Sequence, residues 1–314
     1  MSARWVAGSV RARALPRRQL GSAGARQLAG SRTLDDAVTA LARSPYGRFV
    51  RAGDTLGAAQ RGVADTLLWN VRVLAGWVPG DGVRALRLLA GWFELANVDE
   101  HLRALTAAGQ PVEPPFRLGT LATAWPRLAA TTSPAELRDV LARSPWGDPG
   151  TDRPRELSLA LRLSWADRVA AGVAPAGAWA AGAVALLVAR TDPAQRRHLP
   201  QPALRAVDRL LGRAWPEAST VEELAGTVSP SAAWALRDVP EPADLWRAEI
   251  RWWARVRADG ARLLADPGFG PHAAVGAAAL LAVDAWQTRA ALEATARVDG
   301  GGWSDVSEVF GALA

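Results

Sequence analysis

Cysteine is missing from this sequence, and so is lysine. The first absence excludes disulfides and thiolate metal sites, and it fits a reducing compartment. The second excludes a standard P-loop, whose Gly-x-x-x-x-Gly-Lys-Ser/Thr signature needs its lysine. A Gly-x-Ser-x-Gly nucleophile elbow is also lacking. Isoleucine occurs once, at Ile250, while alanine, arginine, glycine, valine and leucine dominate, a bias expected of G+C-rich coding. No segment sustains the apolar–polar alternation of a strand. Long uncharged runs are scarce. The tract Val169–Ala189 carries no charge over 21 residues, but Pro175 interrupts it between Gly172 and Gly177. It reads as a helix buried between neighbours and not as a membrane span.

Acidic residues are absent from the first 32 positions, which hold seven arginines: Arg4, Arg11, Arg13, Arg17, Arg18, Arg26 and Arg32. The remaining chain has thirty arginines against thirty-one acids, so the formal charge of +6 belongs to the N-terminal segment. Arginine spread over a folded face would point to nucleic acid; this distribution does not. The segment has the composition of a transit peptide, Arg-rich and containing serine. Its apolar residues Trp5, Val6, Val10, Ala14 and Leu15 suit a first helix, and the structural helix is the preferred reading.

Three windows organise the rest. Leu41–Gly47 (LARSPYG) returns 100 residues later as Leu141–Gly147 (LARSPWG). Both stand inside longer windows, Thr33–Gly47 and Ser133–Gly147, and a looser third runs from Thr220 to Trp234. Each opens with Ser/Thr followed three residues later by an acid: Thr33 with Asp36, Ser133 with Glu136, Thr220 with Glu223. That spacing caps a helix start. Ser-Pro-aromatic-Gly then stops the helix in the first two windows. Longer helical patterns follow at about 54–77, 83–105, 155–170, 178–190, 242–264 and 272–297, separated by Pro/Gly breaks. The expected fold is all-α, with three similar helical-bundle units at 1–113, 114–202 and 203–314. Ala108–Pro115 reads as a linker, and Trp303–Ala314, after Gly300–Gly302, as a terminal helix or strap.

Candidate chemistry is thin. Asp35 and Asp36 resemble a metal-binding acid pair, but both lie in the first turn of a helix, where they favour its dipole. His101, His198 and His272 are far apart, with no acid or histidine one turn away, so no zinc set is expected. Trp252-Trp253 among Arg251, Arg255 and Arg257 has base-stacking character, yet reads first as core plus cation–π contact.

With the units laid out, the chain resembles the C/d subunit family of V-type and archaeal-type rotary ATPases over nearly its whole length. Four stretches carry the likeness: Val10–Leu15 with Gln19-Leu20; Leu41 and Ser44-Pro45-Tyr46-Gly47; Trp92–Val98 with Leu102-Arg103; and Pro271–Ala274 leading to Asp284–Arg289. Trp286 and Gln287 depart from it, standing where the family carries polar and acidic residues, and the second unit lacks the asparagine motif. The family-motif residues are Arg11, Tyr46, Glu94, Asn97, Arg103, Asp284 and Arg289. The resemblance implies a funnel of three bundles around a pseudo-threefold axis. It implies a non-catalytic central-stalk rotor subunit without cofactor or metal, coupling the shaft to the membrane ring for ATP-linked proton or sodium transport. The implied partners are the central-shaft (D/F-like) subunits and that ring, with the protein cytoplasmic and peripheral on the membrane, having no span of its own. The competing readings are a helical-repeat adaptor or scaffold with an unrelated protein partner, and an all-α enzyme, which needs a deep polar cleft.

Overall fold

The computed structural model describes residues 3–107 and 112–297. Part of the expected linker, 108–111, and the expected strap, 303–314, lie outside the described residues. Within them the chain is all-helical: α1 (Ala3–Ala14), α2 (Gly21–Ala29), α3 (Leu34–Ala42), α4 (Leu56–Ala75), α5 (Gly80–Thr106), α6 (Trp125–Leu128), α7 (Pro134–Ala142), α8 (Pro154–Gly172), α9 (Gly177–Arg190), α10 (Pro193–Arg197), α11 (Gln201–Leu211), α12 (Val221–Thr227), α13 (Pro230–Ala233), α14 (Leu245–Ala265) and α15 (Pro271–Arg297). No described residue lies in a strand. No helix among the described residues is long and apolar enough to cross a membrane.

The three capped starts form as the spacing predicts. Asp36 N–H donates to Thr33 Oγ1 at 3.1 Å, Glu136 N–H to Ser133 Oγ at 3.2 Å, and Glu223 N–H to Thr220 Oγ1 at 3.1 Å. At Thr220 the box is closed in both directions, because the Glu223 side chain accepts from the Thr220 N–H. The helix stops also match. Ser44 and Ser144 each donate to the carbonyl three residues back, and each accepts the N–H of the following aromatic residue, Tyr46 or Trp146, at 3.1 Å. The closing glycines are required for different reasons. A Cβ on Gly47 collides with the Ala42 carbonyl oxygen, whereas Gly147 adopts a φ of +80°, which disfavours any side chain.

Several helices, among them α2, α10 and α11, lie outside the patterns expected from the sequence, and α11 shows why. Proline at 200 and 202 reads as a break in the sequence, yet α11 begins there with Pro202 in its first turn. Proline is tolerated in that turn because its missing N–H has no intrahelical acceptor to lose. Ala203, Ala206, Val207, Leu210 and Leu211 then bury one face.

The chain divides into two compact units: Met1–Leu86 with Trp253–Ala314, and Arg87–Trp252. In the first unit α15 packs on α1, α2, α3 and α4. Its core joins Leu28, Val38, Leu41, Tyr46, Val63 and Leu292. α14 approaches α15 closely through glycine: a Cβ on Gly276 falls 2.6 Å from the Gly260 carbonyl oxygen. In the second unit Leu95, Val98, Leu128, Leu137, Leu141 and Trp146 form the corresponding core, and α9 packs among α8, α11 and α13. α9 is buried on most of its circumference, as its uncharged sequence predicts.

Candidate functional site

The most concentrated polar chemistry in each unit is a single buried carboxylate. Asp284 sits in the middle of α15 and Glu94 in the middle of α5, with relative exposures of 3% and 0%. A buried charge is tolerated only when its acceptors are engaged, and both acids meet that condition in the same way.

In the first unit, Asp284 Oδ2 accepts from Leu20 N–H at 3.0 Å and from the Tyr46 hydroxyl at 2.7 Å, while Oδ1 accepts from Gly21 N–H at 2.7 Å. Leu20 and Gly21 open α2, so the carboxylate caps that helix from outside it. One turn further along α15, Gln287 Nε2 donates to Ser22 Oγ at 3.3 Å. Near the helix end, Thr295 Oγ1 donates to the Leu28 carbonyl at 3.0 Å. In the second unit, Glu94 Oε2 accepts from Thr123 N–H at 2.6 Å, and Oε1 accepts from Ala124 N–H at 2.7 Å and Trp146 Nε1–H at 2.9 Å. These amides lead into α6. One turn on, Asn97 clips Phe116 from both sides, accepting its N–H at 2.6 Å and donating to its carbonyl at 3.0 Å. A further turn brings His101 Nε2 to the Thr131 hydroxyl at 3.0 Å.

Each clamp therefore has the same parts: an acid on a long helix, two amides that start a short helix, and the aromatic donor of a Ser-Pro-aromatic-Gly stop. The electrostatics differ. Burial pushes the Asp284 carboxyl above the ordinary aspartate value, against the pull of its hydrogen bonds from Tyr46, Gly21 and Leu20. Burial also raises the Tyr46 phenol well above its usual value, and the Asp284 charge adds to that. At the second clamp the Arg168 guanidinium stacks on Trp146, 4.8 Å from the ring centroid. Burial lowers the Arg168 pKa and the Glu94 charge opposes that shift. The second carboxylate thus faces a cation, while the first is held by hydrogen bonds.

The third window lacks the aromatic donor. Thr227 donates to the Leu224 carbonyl at 3.1 Å, repeating the serine turn, but Ser229 stands where the aromatic donor would fall and bonds the Leu210 carbonyl. Arg196, 3% exposed, ties this region instead, donating to the carbonyls of Thr191 at 2.8 Å and Ala218 at 3.1 Å. Trp215 Nε1–H donates to Asp208 at 2.9 Å.

Of the seven residues singled out in the sequence, Tyr46 and Asp284 meet in one clamp, and Glu94 and Asn97 serve the other. Arg11 stacks on Trp77, its guanidinium carbon 5.7 Å from the ring centroid. Arg103 is exposed and pairs with Glu100, and Arg289 is exposed. Sequence reasoning missed Trp146 and Arg168. The 100-residue shift that aligns Trp146 with Tyr46 carries the signal for the first, since both rings bear a hydrogen-bond donor. Asp35 and Asp36 lie in the first turn of α3. Among the described residues no three His, Asp or Glu side chains converge on a metal-sized site. Comparison of the chain with protein-family models and with curated proteins finds no match.

Proposed function

We propose that this chain is a non-catalytic central-stalk subunit of a V/A-type rotary ATPase. In this reading it couples the shaft to the membrane ring during ATP-linked proton or sodium transport, from a peripheral position on the cytoplasmic side. The observation that carries the reading is the repeated clamp. Two of the motif stretches behind the family resemblance, Ser44–Gly47 and Asp284–Arg289, supply the two sides of one clamp, and a third, Trp92–Arg103, supplies the acid of the other. The reading adds a pseudo-threefold funnel of three like bundles, each headed by one capped window.

Torque transmission supplies the physical logic. A rotating spacer must resist twist, and close-packed helices do so because their interiors have low compressibility. The clamps add directional ties: Tyr46 to Asp284 spans 238 positions of the chain and Leu20 to Asp284 spans 264. The test is co-expression with the shaft and ring subunits, followed by purification through a tagged shaft. The chain is expected in stoichiometric amount. A rotary complex that assembles without it, leaving the chain as a free monomer, overturns the reading. Capture of an unrelated protein in its place supports an adaptor.

A further inference from the structure

Four of the six large apolar side chains exposed among the described residues belong to the first unit: Val6, Val10, Phe49 and Trp77. Val6 and Val10 were expected to serve a first helix, and α1 forms, but it turns these residues outward and buries Ser9 and Ala12 on its other side. α1 and the turn after it run antiparallel to the end of α4. Gly8 lies against Val78, Arg11 stacks on Trp77 at 5.7 Å, and Arg18 stacks on Trp69 at 5.6 Å. Arg48 closes on the same Trp69 ring at 4.4 Å and on Phe49 at 5.6 Å. Arg17 and Arg72 are exposed beside them. None of these five arginines pairs with a described carboxylate, and the Arg11 Nε is buried without a hydrogen-bond partner. Asp65, one turn before Trp69, is already paired with Arg61 at 3.1 Å. The second unit offers the contrast: Arg162 stacks on exposed Trp92 at 5.7 Å, but Asp99 neutralises it at 2.5 Å.

We propose that α1, the Leu15–Arg18 turn and the C-terminal half of α4 form a face that lies on an anionic lipid surface. The interleaving selects this occupant. A protein interface gathers apolar side chains at a charge-depleted centre with a polar rim. Here each exposed aromatic ring carries a guanidinium on or beside it, so no such centre exists. At the headgroup level the same mixture is favourable, because tryptophan rings and valines sit at the acyl boundary while arginines reach phosphates and carboxylates. The acid-free stretch 1–32 supplies the attraction, at roughly a factor of five in affinity per arginine near such a surface. This proposal does not depend on the rotor reading.

The test uses the purified full chain and vesicle flotation at low salt. The chain is expected to float with vesicles of phosphatidylcholine plus phosphatidylserine, to stay down with phosphatidylcholine alone, and to release as salt rises. Arg17→Glu, at a side chain without a ring contact, is expected to weaken binding about five- to tenfold, and Arg17→Glu with Arg18→Glu at least about 25-fold. Arg143→Glu, exposed in the second unit, is expected to leave binding unchanged. Thermal melts matched to the parent exclude misfolding as the cause. No flotation with anionic vesicles, or an equal loss from Arg143→Glu, overturns the proposal. Binding to RNA without flotation also overturns it and reassigns the face. A chain that floats but fails the shaft pull-down sinks the rotor reading alone.

Discussion

The two clamps differ in the acid, in the ring that donates to it and in a charged neighbour. At Asp284 the aromatic donor is a phenol, which can lose its proton; at Glu94 it is an indole, which cannot. Asp284 is satisfied by hydrogen bonds, while Glu94 also has Arg168 close by. One geometry is thus built twice with different tolerance to charge. The geometry of the clamp does not depend on the chemistry of the donor, but its response to pH does.

Removing the acids is expected to have the largest effect. Glu94→Ala strands two amides, the Trp146 N–H and the charge of Arg168, and should cost about 4 kcal/mol; Asp284→Ala strands two amides and the Tyr46 hydroxyl, at about 3 kcal/mol. Urea midpoints measure both, and a Glu94→Ala midpoint within error of the parent breaks the comparison. Neutral isosteres should sharpen it. Asp284→Asn is expected to cost less than Glu94→Gln, because only the second leaves a half-buried guanidinium without its counter-charge; the reverse order would remove Arg168 from the account.

The alkaline range separates the clamps most cleanly. With no lysine or cysteine and one tyrosine in the chain, Tyr46 is the side chain that titrates between about pH 9 and 12. Its folded-state pKa is raised, so its contribution to stability is complete below the unfolded value near 10 and is lost as pH climbs toward the folded value. Stability should therefore fall above about pH 10 in the parent and stay level in Tyr46→Phe, which itself costs about 1 kcal/mol. Tyrosinate absorbance follows the same single group, and its appearance at an ordinary phenol pKa in the folded protein would contradict the buried hydrogen bond. The smallest effects belong to the caps: Thr33→Ala, Ser133→Ala and Thr220→Ala should each cost about 1 kcal/mol, since each loses the one bond its side chain accepts, and at 220 the backbone N–H still reaches Glu223.

Much of the local structure was readable because its causes lie within a few residues. Thr33, Ser133 and Thr220 cap helices through bonds spanning three positions. Pro200 and Pro202 misled for an equally local reason: proline ends one helix and begins another, and only the buried face after Ala203 tells which. The clamps were half legible. Tyr46, Glu94, Asn97 and Asp284 stood out as motif residues, but nothing in their spacing said that Tyr46 meets Asp284 or that Glu94 meets Trp146. The acid serving the second window lies upstream of it, at 94, and the acid serving the first lies near the far end of the chain, at 284.

By itself, the sequence determined an all-helical chain, three capped starts, two matching stops and an N-terminal stretch of one charge sign, because backbone capping, proline sterics and composition act locally. Tertiary structure decided which carboxylate closes on which ring and which side of α1 faces outward. The first of these follows from burying a charge where three donors converge, and the donors come from segments up to 264 positions away, a distance over which no local pattern specifies a partner.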